Sequence, residues 1–115
     1  MSKRTDKEYL LDISEAIKRI ELYVENLDYQ NFLKDIKTQD AVLRNIEIIG
    51  EAVKKLSRNL KIERKNIQWK EIAGMRDKVI HFYFGVNWDI IWRAVKDKLP
   101  KIKEHIENLL NNLDK

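Results

Sequence analysis

Three side chains with different chemical abilities lie close together in the stretch from Arg76 to Tyr83. An arginine can hold a phosphate through two parallel hydrogen bonds, and a histidine can move protons near neutral pH. A tyrosine hydroxyl is an oxygen that can accept a transferred group. Arg76, His81 and Tyr83 therefore indicate chemistry on phosphodiesters, provided that the fold brings them together.

The cleavage of RNA without a metal ion is one reaction that these residue types could perform. It needs a base for the 2′-hydroxyl proton, an acid for the leaving oxygen, and a cation for the charge that develops on the phosphate. His81 could act as the base or the acid, and Arg76 fits the role of the cation. Two copies of the chain across a dimer would bring two histidines into one cleft.

Helix geometry decides how far one chain can bring these groups together. On a continuous helix, Arg76 and Tyr83 differ by about 20° in direction, whereas Arg76 and His81 differ by about 140°. Local spacing alone therefore does not place the imidazole on the guanidinium. Either the helix distorts before Gly85 or a second subunit completes the site, and the spacing leaves both alternatives open.

Composition favours a single small helical domain spanning residues 1–115. The chain has 115 residues, of which 43% are hydrophobic and 37% charged, and it contains three glycines and one proline. Few turn-forming residues favour long helices. Apolar residues that recur every three or four positions predict an all-α, up-and-down bundle of four or five helices.

The first two helices have recognisable ends. Thr5 and Glu8 can form a capping box at the start of the first helix. Thr38 is the predicted N-cap of the second helix, which is expected to run to about Ser57. A turn is expected within residues 26–37. Gly50 interrupts the second helix at a cost of roughly 1 kcal/mol relative to alanine, which indicates the close approach of another helix.

The second half of the chain is predicted to begin with a loop or short irregular helix at residues 60–68. A third helix then follows, with a core stripe formed by Trp69, Ile72, Met75, Val79 and Phe82. Asn87 is the predicted cap of a fourth helix, and Pro100 is expected in the first turn of a separate last helix. His105, on that last helix, is interpreted as structural.

Several classes of site and location are excluded or made less favourable by the sequence. There is no cysteine, so disulfides and thiolate chemistry are impossible. The sequence shows no leader, membrane-spanning run, glycine-rich phosphate loop or metal-binding cluster, and a cytoplasmic location is expected. The net charge of +4 suits nucleic acid but is modest, and most charges are interpreted as a solvated helical surface.

The pattern Arg-x4-His-x-Tyr within residues 69–83 resembles the HepT-type toxins of the HEPN domain superfamily. The resemblance extends over almost the whole chain, because four further segments match that family's pattern in order: residues 12–13, 41–45 and 48–52, and Trp92 with Leu99-Pro100. The segment Ile-Gly-Glu-Ala at residues 49–52 lies at the expected distance upstream of the motif.

The resemblance implies a homodimeric, metal-independent endoribonuclease that is the toxin of a toxin–antitoxin pair. Arg76 and His81 would form the catalytic site for an RNA substrate such as tRNA or mRNA. The implied partner is a minimal nucleotidyltransferase antitoxin of the MntA type. It uses ATP and Mg²⁺ to attach AMP to Tyr83, whereas the toxin itself needs no cofactor or metal and no membrane.

Two other interpretations of the motif remain open. The chain could be a non-enzymatic subunit that binds nucleotide or RNA, or a scaffold in a nucleotidyltransferase complex. Alternatively, the motif could be a purely structural ion-pair cluster in the core. The structural interpretation predicts a large loss of stability for Arg76→Ala, whereas a functional site should tolerate that change.

Overall fold

The structure is a computed structural model that describes residues 4–80 and 87–113, with only the backbone described at residues 78–80. Helices account for nearly all of these residues, and no β-strand occurs among them, which confirms the predicted all-α fold. The elements are α1 (Asp6–Val24), α2 (Tyr29–Lys34), α3 (Ile36–Lys55), α4 (Arg58–Glu63), α5 (Trp69–Ala73), α6 (Met75–Ile80), α7 (Trp88–Arg93), a π-helical segment (Ala94–Lys98) and α8 (Leu99–Leu113). None of the described helices is both long and apolar enough to cross a membrane.

Helices α1 and α3 form the centre of the bundle. They pack along each other, α8 packs against α1, and α5 and α6 pack against α3. The predicted apolar stripes face this interface, and their central members are almost completely buried: Leu10, Ile13, Ile17 and Ile20 on α1, and Val42, Ile46, Ile49 and Val53 on α3. Burial of these side chains supplies the main favourable contribution to folding.

The start of α1 agrees with the prediction, but the start of α3 does not. Thr5 and Glu8 form the complete capping box. Asp35, rather than Thr38, caps α3, and its carboxylate accepts hydrogen bonds from the Thr38 amide (3.0 Å) and hydroxyl (2.8 Å). These two hydrogen bonds lower the pKa of Asp35, and the bond from the amide has the larger effect. Aspartate is a stronger N-cap than threonine, and here it starts the helix three residues earlier than predicted.

Gly74 divides the predicted third helix into α5 and α6. The core residues Trp69, Ile72 and Met75 are buried as predicted. However, Gly74 is a turn residue between the two helices, consistent with the low helix propensity of glycine. Ala73 and Arg76, which were expected on one continuous helix, therefore belong to different helices.

The last two predicted helices form one uninterrupted helical run from Trp88 to Leu113. Asn87 caps its start as predicted, by accepting a hydrogen bond from the Ile90 amide. Pro100 lies in the first turn of α8, as predicted, and the π-helical segment joins α8 to α7 without a turn. Proline has no amide hydrogen and collides with the carbonyl four residues earlier. The π-helical segment precedes Pro100. At the end of this segment, the Leu99 amide donates a hydrogen bond to the carbonyl oxygen of Ala94, five residues earlier.

An aromatic cluster fixes α2 against α7. The ring of Phe32 is fully buried and lies edge-on to Trp88 at 5.9 Å and beside Trp92 at 5.0 Å between ring centroids. Tyr29 contacts Trp92 at 5.9 Å. These separations are typical of favourable aromatic pairs. This aromatic cluster thus anchors α7, the helix that follows residues 81–86.

Candidate active site

Arg76 lies in the first turn of α6, immediately after the break at Gly74. Its side chain is 40% exposed, and its guanidinium lies 3.4 Å from the carboxylate of Asp77, which is 55% exposed. This long contact between two solvent-accessible groups is not a buried ion pair, and exposed pairs add little stability. The contacts described for Arg76 therefore do not support the interpretation of the motif as a core ion-pair cluster.

Gly50 allows α3 to approach the backbone next to Arg76. A Cβ atom added at Gly50 would lie 3.2 Å from the carbonyl oxygen of Ala73 and 3.7 Å from the Cβ atom of Arg76. The close helix approach that the sequence indicated at Gly50 is confirmed. The glycine therefore sets how near the start of α6 lies to α3, and with it the position of the Arg76 side chain.

Enlarging Gly50 should destabilise the protein. In Gly50→Leu, the added side chain meets the Ala73 carbonyl at the end of α5, so α3 must move away from α5 and the start of α6, and we expect a loss of about 1–3 kcal/mol. In Gly50→Ala, a gain of about 1 kcal/mol in helix propensity opposes the tight Cβ contact, so the net change should be small. Urea denaturation measures both. Lys54→Leu places the same side chain on the exposed face of α3 and is the control. Equal stability of the two leucine variants would contradict this role of Gly50.

The side chain of Arg76 lines a groove that lies between three elements: the start of α1, the outer face of α3, and α6. The groove contains four cations and three carboxylates, and is lined by Arg4, Tyr9, Asp12, Arg44, Glu47, Ile48, Glu51, Ala52, Lys55 and Arg76. The groove therefore presents charged groups from three helices around the guanidinium of Arg76. Glu51 is an exposed residue of this groove.

Ion pairs within the groove occupy two of its cations. Arg4 donates a 2.6 Å hydrogen bond to Asp12, and its guanidinium lies 4.9 Å from the centre of the Tyr9 ring. The bond to Asp12 is the largest cause that raises the pKa of Arg4. Arg44 lies 3.9 Å from Glu47. The contact of Arg76 with Asp77 is longer, at 3.4 Å, than the bond of Arg4 to Asp12, so Arg76 is less firmly held than Arg4 and better placed to bind an added phosphate.

The other two residues of the motif, His81 and Tyr83, lie outside the described residues. The expected convergence of Arg76 with the imidazole, either within one chain or across a dimer, therefore stays a prediction. Residues 4–80 and 87–113 contain no group of three or more histidine, cysteine or acidic side chains that could hold a metal ion.

The sequence did not identify Arg4, Arg44 and Lys55 as neighbours of Arg76. They were interpreted as part of a solvated surface because basic and acidic residues alternate throughout the chain. Arg44, Glu51 and Lys55 are spaced seven and four residues apart, which places them on one face of α3. That spacing was a usable signal. The approach of Arg4 depends on the packing of α1 against α3, which no local pattern reveals.

Comparison with known proteins assigns this chain to a protein family. The family model described as "Ribonuclease HepT-like" matches residues 13–109. The chain belongs to the HepT-like ribonuclease family. No solved structure matches the chain significantly.

Three similar proteins align with this chain over nearly their whole length. The "Probable ribonuclease HepT" of Thermococcus cleftensis is 47% identical, over 93% of this chain and 97% of the relative. "Putative RNase MJ0127" of Methanocaldococcus jannaschii is 40% identical, over 99% and 94%. "Putative RNase TTE0752" of Caldanaerobacter subterraneus subsp. tengcongensis is 38% identical, over 93% and 96%.

Proposed function

We propose that this protein is a metal-independent endoribonuclease and the toxin of a toxin–antitoxin pair. The observation that carries the proposal is the position of Arg76. In a chain of the HepT-like ribonuclease family, this half-exposed arginine lines a charged groove, and within residues 4–77 and 87–113 its ion pair is the exposed one with Asp77. A guanidinium in this state can bind a phosphodiester without first breaking a strong internal ion pair.

The proposed reaction is an internal attack within the RNA. The 2′-oxygen forms a bond to the phosphorus while the bond from phosphorus to the 5′-oxygen breaks. A histidine takes the 2′-hydroxyl proton, the leaving 5′-oxygen receives a proton, and Arg76 stabilises the negative charge on the phosphate oxygens. The products are a 2′,3′-cyclic phosphate and a 5′-hydroxyl. His81 is the proposed proton carrier, and a homodimer would supply a second histidine for the second transfer.

Tyr83 is the proposed control point. A minimal nucleotidyltransferase antitoxin of the MntA type would use ATP and Mg²⁺, neither of which the toxin itself needs. The tyrosine oxygen forms a bond to the α-phosphorus of ATP, its proton passes to a base, and pyrophosphate leaves. The attached AMP places a phosphate near Arg76 and competes with RNA for the guanidinium. This regulation belongs in the cytoplasm, where ATP and RNA are available.

Expression of the chain without its partner tests the catalytic assignment. We expect the wild type to arrest cell growth and to fragment cellular RNA, and His81→Ala to do neither at the same protein level. Immunoblotting and circular dichroism of the purified variant check expression and folding. Growth arrest by His81→Ala equal to that of the wild type would contradict the assignment. RNA binding without cleavage, unchanged by His81→Ala, would favour the non-enzymatic binding or scaffold subunit.

Mass spectrometry tests the control point. After incubation with the nucleotidyltransferase, ATP and Mg²⁺, we expect the wild type to gain the mass of one or more AMP units, and Tyr83→Phe to gain none. Tyr23→Phe removes the hydroxyl of a tyrosine that packs against the core and should be modified like the wild type. If the adduct persists in Tyr83→Phe, the acceptor is a different residue.

A further inference from the structure

A second concave surface lies on the other side of α6. It consists of two neighbouring grooves. The first groove lies between α5 and α8 and is lined by Asn66, Ile67, Gln68, Glu71, Ile72, Met75, Lys98, Lys101, Ile102 and His105. The second groove lies beside α4 and α5 and is lined by Lys61, Lys65, Ile67, Gln68, Trp69, Lys70 and Glu71. Because Ile67, Gln68 and Glu71 line both, the grooves form one continuous surface, called here the lysine surface.

The lysine surface concentrates the positive charge of the protein. Its lining contains five lysines and a single carboxylate, Glu71, which gives a formal charge of +4 with His105 neutral. This equals the net charge of the whole chain, so the remaining residues balance one another. Glu71 is held by Lys98 at 3.3 Å. The charge that is modest when averaged over the sequence is therefore localised on one face.

The lysine surface also has an apolar floor and a fixed loop. Ile67, Ile72, Met75 and Ile102 lie at the bottom, each at most 7% exposed. The carbonyl oxygen of Arg64 accepts hydrogen bonds from the Ile67 amide at 3.0 Å and from the indole of Trp69 at 3.2 Å. These bonds hold the loop that carries Lys65, so little conformational freedom is lost when a ligand binds.

We propose that the lysine surface binds a single-stranded segment of the RNA substrate outside the groove that contains Arg76, called here the catalytic groove. The lysines contact successive phosphates, and the apolar floor between α5 and α8 receives an unstacked base. Met75 lines this surface, whereas the next residue, Arg76, lines the catalytic groove. A strand bound to the lysine surface can thus continue around α6 to Arg76. This inference rests on the proposed ribonuclease function.

The combination of an apolar floor with lysines around it, which form the rim of the lysine surface, favours RNA over an acidic protein as the ligand. Five lysines around the apolar floor suit the repeated charge of a phosphate backbone, and lysine binds phosphate as a compact point charge. A narrow apolar floor between two helices fits a flat base. Exposed carboxylates of a protein partner would use the rim alone and leave the floor unfilled.

Binding of a labelled RNA by a cleavage-deficient protein tests the inference. The probe is a fluorescein-labelled, unstructured oligoribonucleotide, and all proteins carry His81→Ala so that the RNA stays intact. Lys65→Gln/Lys101→Gln removes two charges from the lysine surface. Lys18→Gln/Lys34→Gln removes the same charge from exposed positions on α1 and α2 and is the matched control. Fluorescence anisotropy gives Kd at several salt concentrations.

We expect the Kd of Lys65→Gln/Lys101→Gln to rise about tenfold, because two phosphate contacts are lost. The slope of log Kd against log salt should fall by about 1.4, at roughly 0.7 for each contact to a single strand. The control should stay within about twofold. Equal weakening in both variants would mean that only net charge matters and would overturn the inference. So would an unchanged Kd, which would direct attention to an acidic protein partner. Because binding is measured without cleavage, failure of the ribonuclease proposal would be seen separately, in the growth experiment.

Discussion

Arg76→Ala should lower the rate of RNA cleavage about 100-fold or more while leaving the protein folded. Removal of one preorganised group that stabilises developing charge typically costs about 10²–10³ in rate. Arg76→Lys keeps the charge but loses the two parallel hydrogen bonds, so it should recover only part of the activity. The measurement is the rate of cleavage of a labelled RNA by the purified variants.

Stability measurements on the same variants separate a functional role of Arg76 from a structural one. The contact of Arg76 with Asp77 is long and exposed, so Arg76→Ala should change the free energy of unfolding by less than about 1 kcal/mol. Arg19, an exposed arginine paired with Glu15 on α1, supplies the matched control Arg19→Ala, which should keep full activity. A large loss of stability in Arg76→Ala with cleavage unaffected would restore the structural interpretation.

Phe32→Ala should produce the largest loss of stability among the variants considered. The ring is fully buried against Trp88 and Trp92, and truncation of a buried phenylalanine typically costs about 3–5 kcal/mol. The next residue, Leu33, is 39% exposed, so Leu33→Ala should cost much less. Denaturant unfolding followed by tryptophan fluorescence measures both variants. A Phe32→Ala variant as stable as Leu33→Ala would show that the aromatic cluster does not anchor α2 to α7.

The long helices and their buried faces were predictable because they depend on local periodicity. Leu10, Ile17, Ile46 and Ile49 recur at helical spacing, and a single solvent-excluded face is the stable arrangement for such a pattern. The helix ends were less predictable. Asp35 and Thr38 both suit an N-cap, and the choice between them depends on how α2 leads into α3.

The environment of Arg76 could be predicted only in part. The motif identified the arginine, and Gly50 signalled that a second helix comes close to it. The identity of the charged neighbours depends on packing over long sequence separations, which brings Arg4, Arg44 and Arg76 into one groove. Likewise, the lysine surface joins residues of α4, α5 and α8. The number of lysines in the sequence does not show that these lysines lie on one face of the folded protein.

The end groups of RNA cleaved by the purified protein test the central claim most directly. A defined oligoribonucleotide is incubated with the wild type and with Arg76→Ala in the presence of EDTA, and the products are identified by mass spectrometry. The proposed mechanism predicts fragments with a 2′,3′-cyclic phosphate and a 5′-hydroxyl from the wild type, and a strong reduction of these fragments with Arg76→Ala. An intact oligonucleotide, products with a 3′-hydroxyl and a 5′-phosphate, or equal cleavage by Arg76→Ala would contradict it.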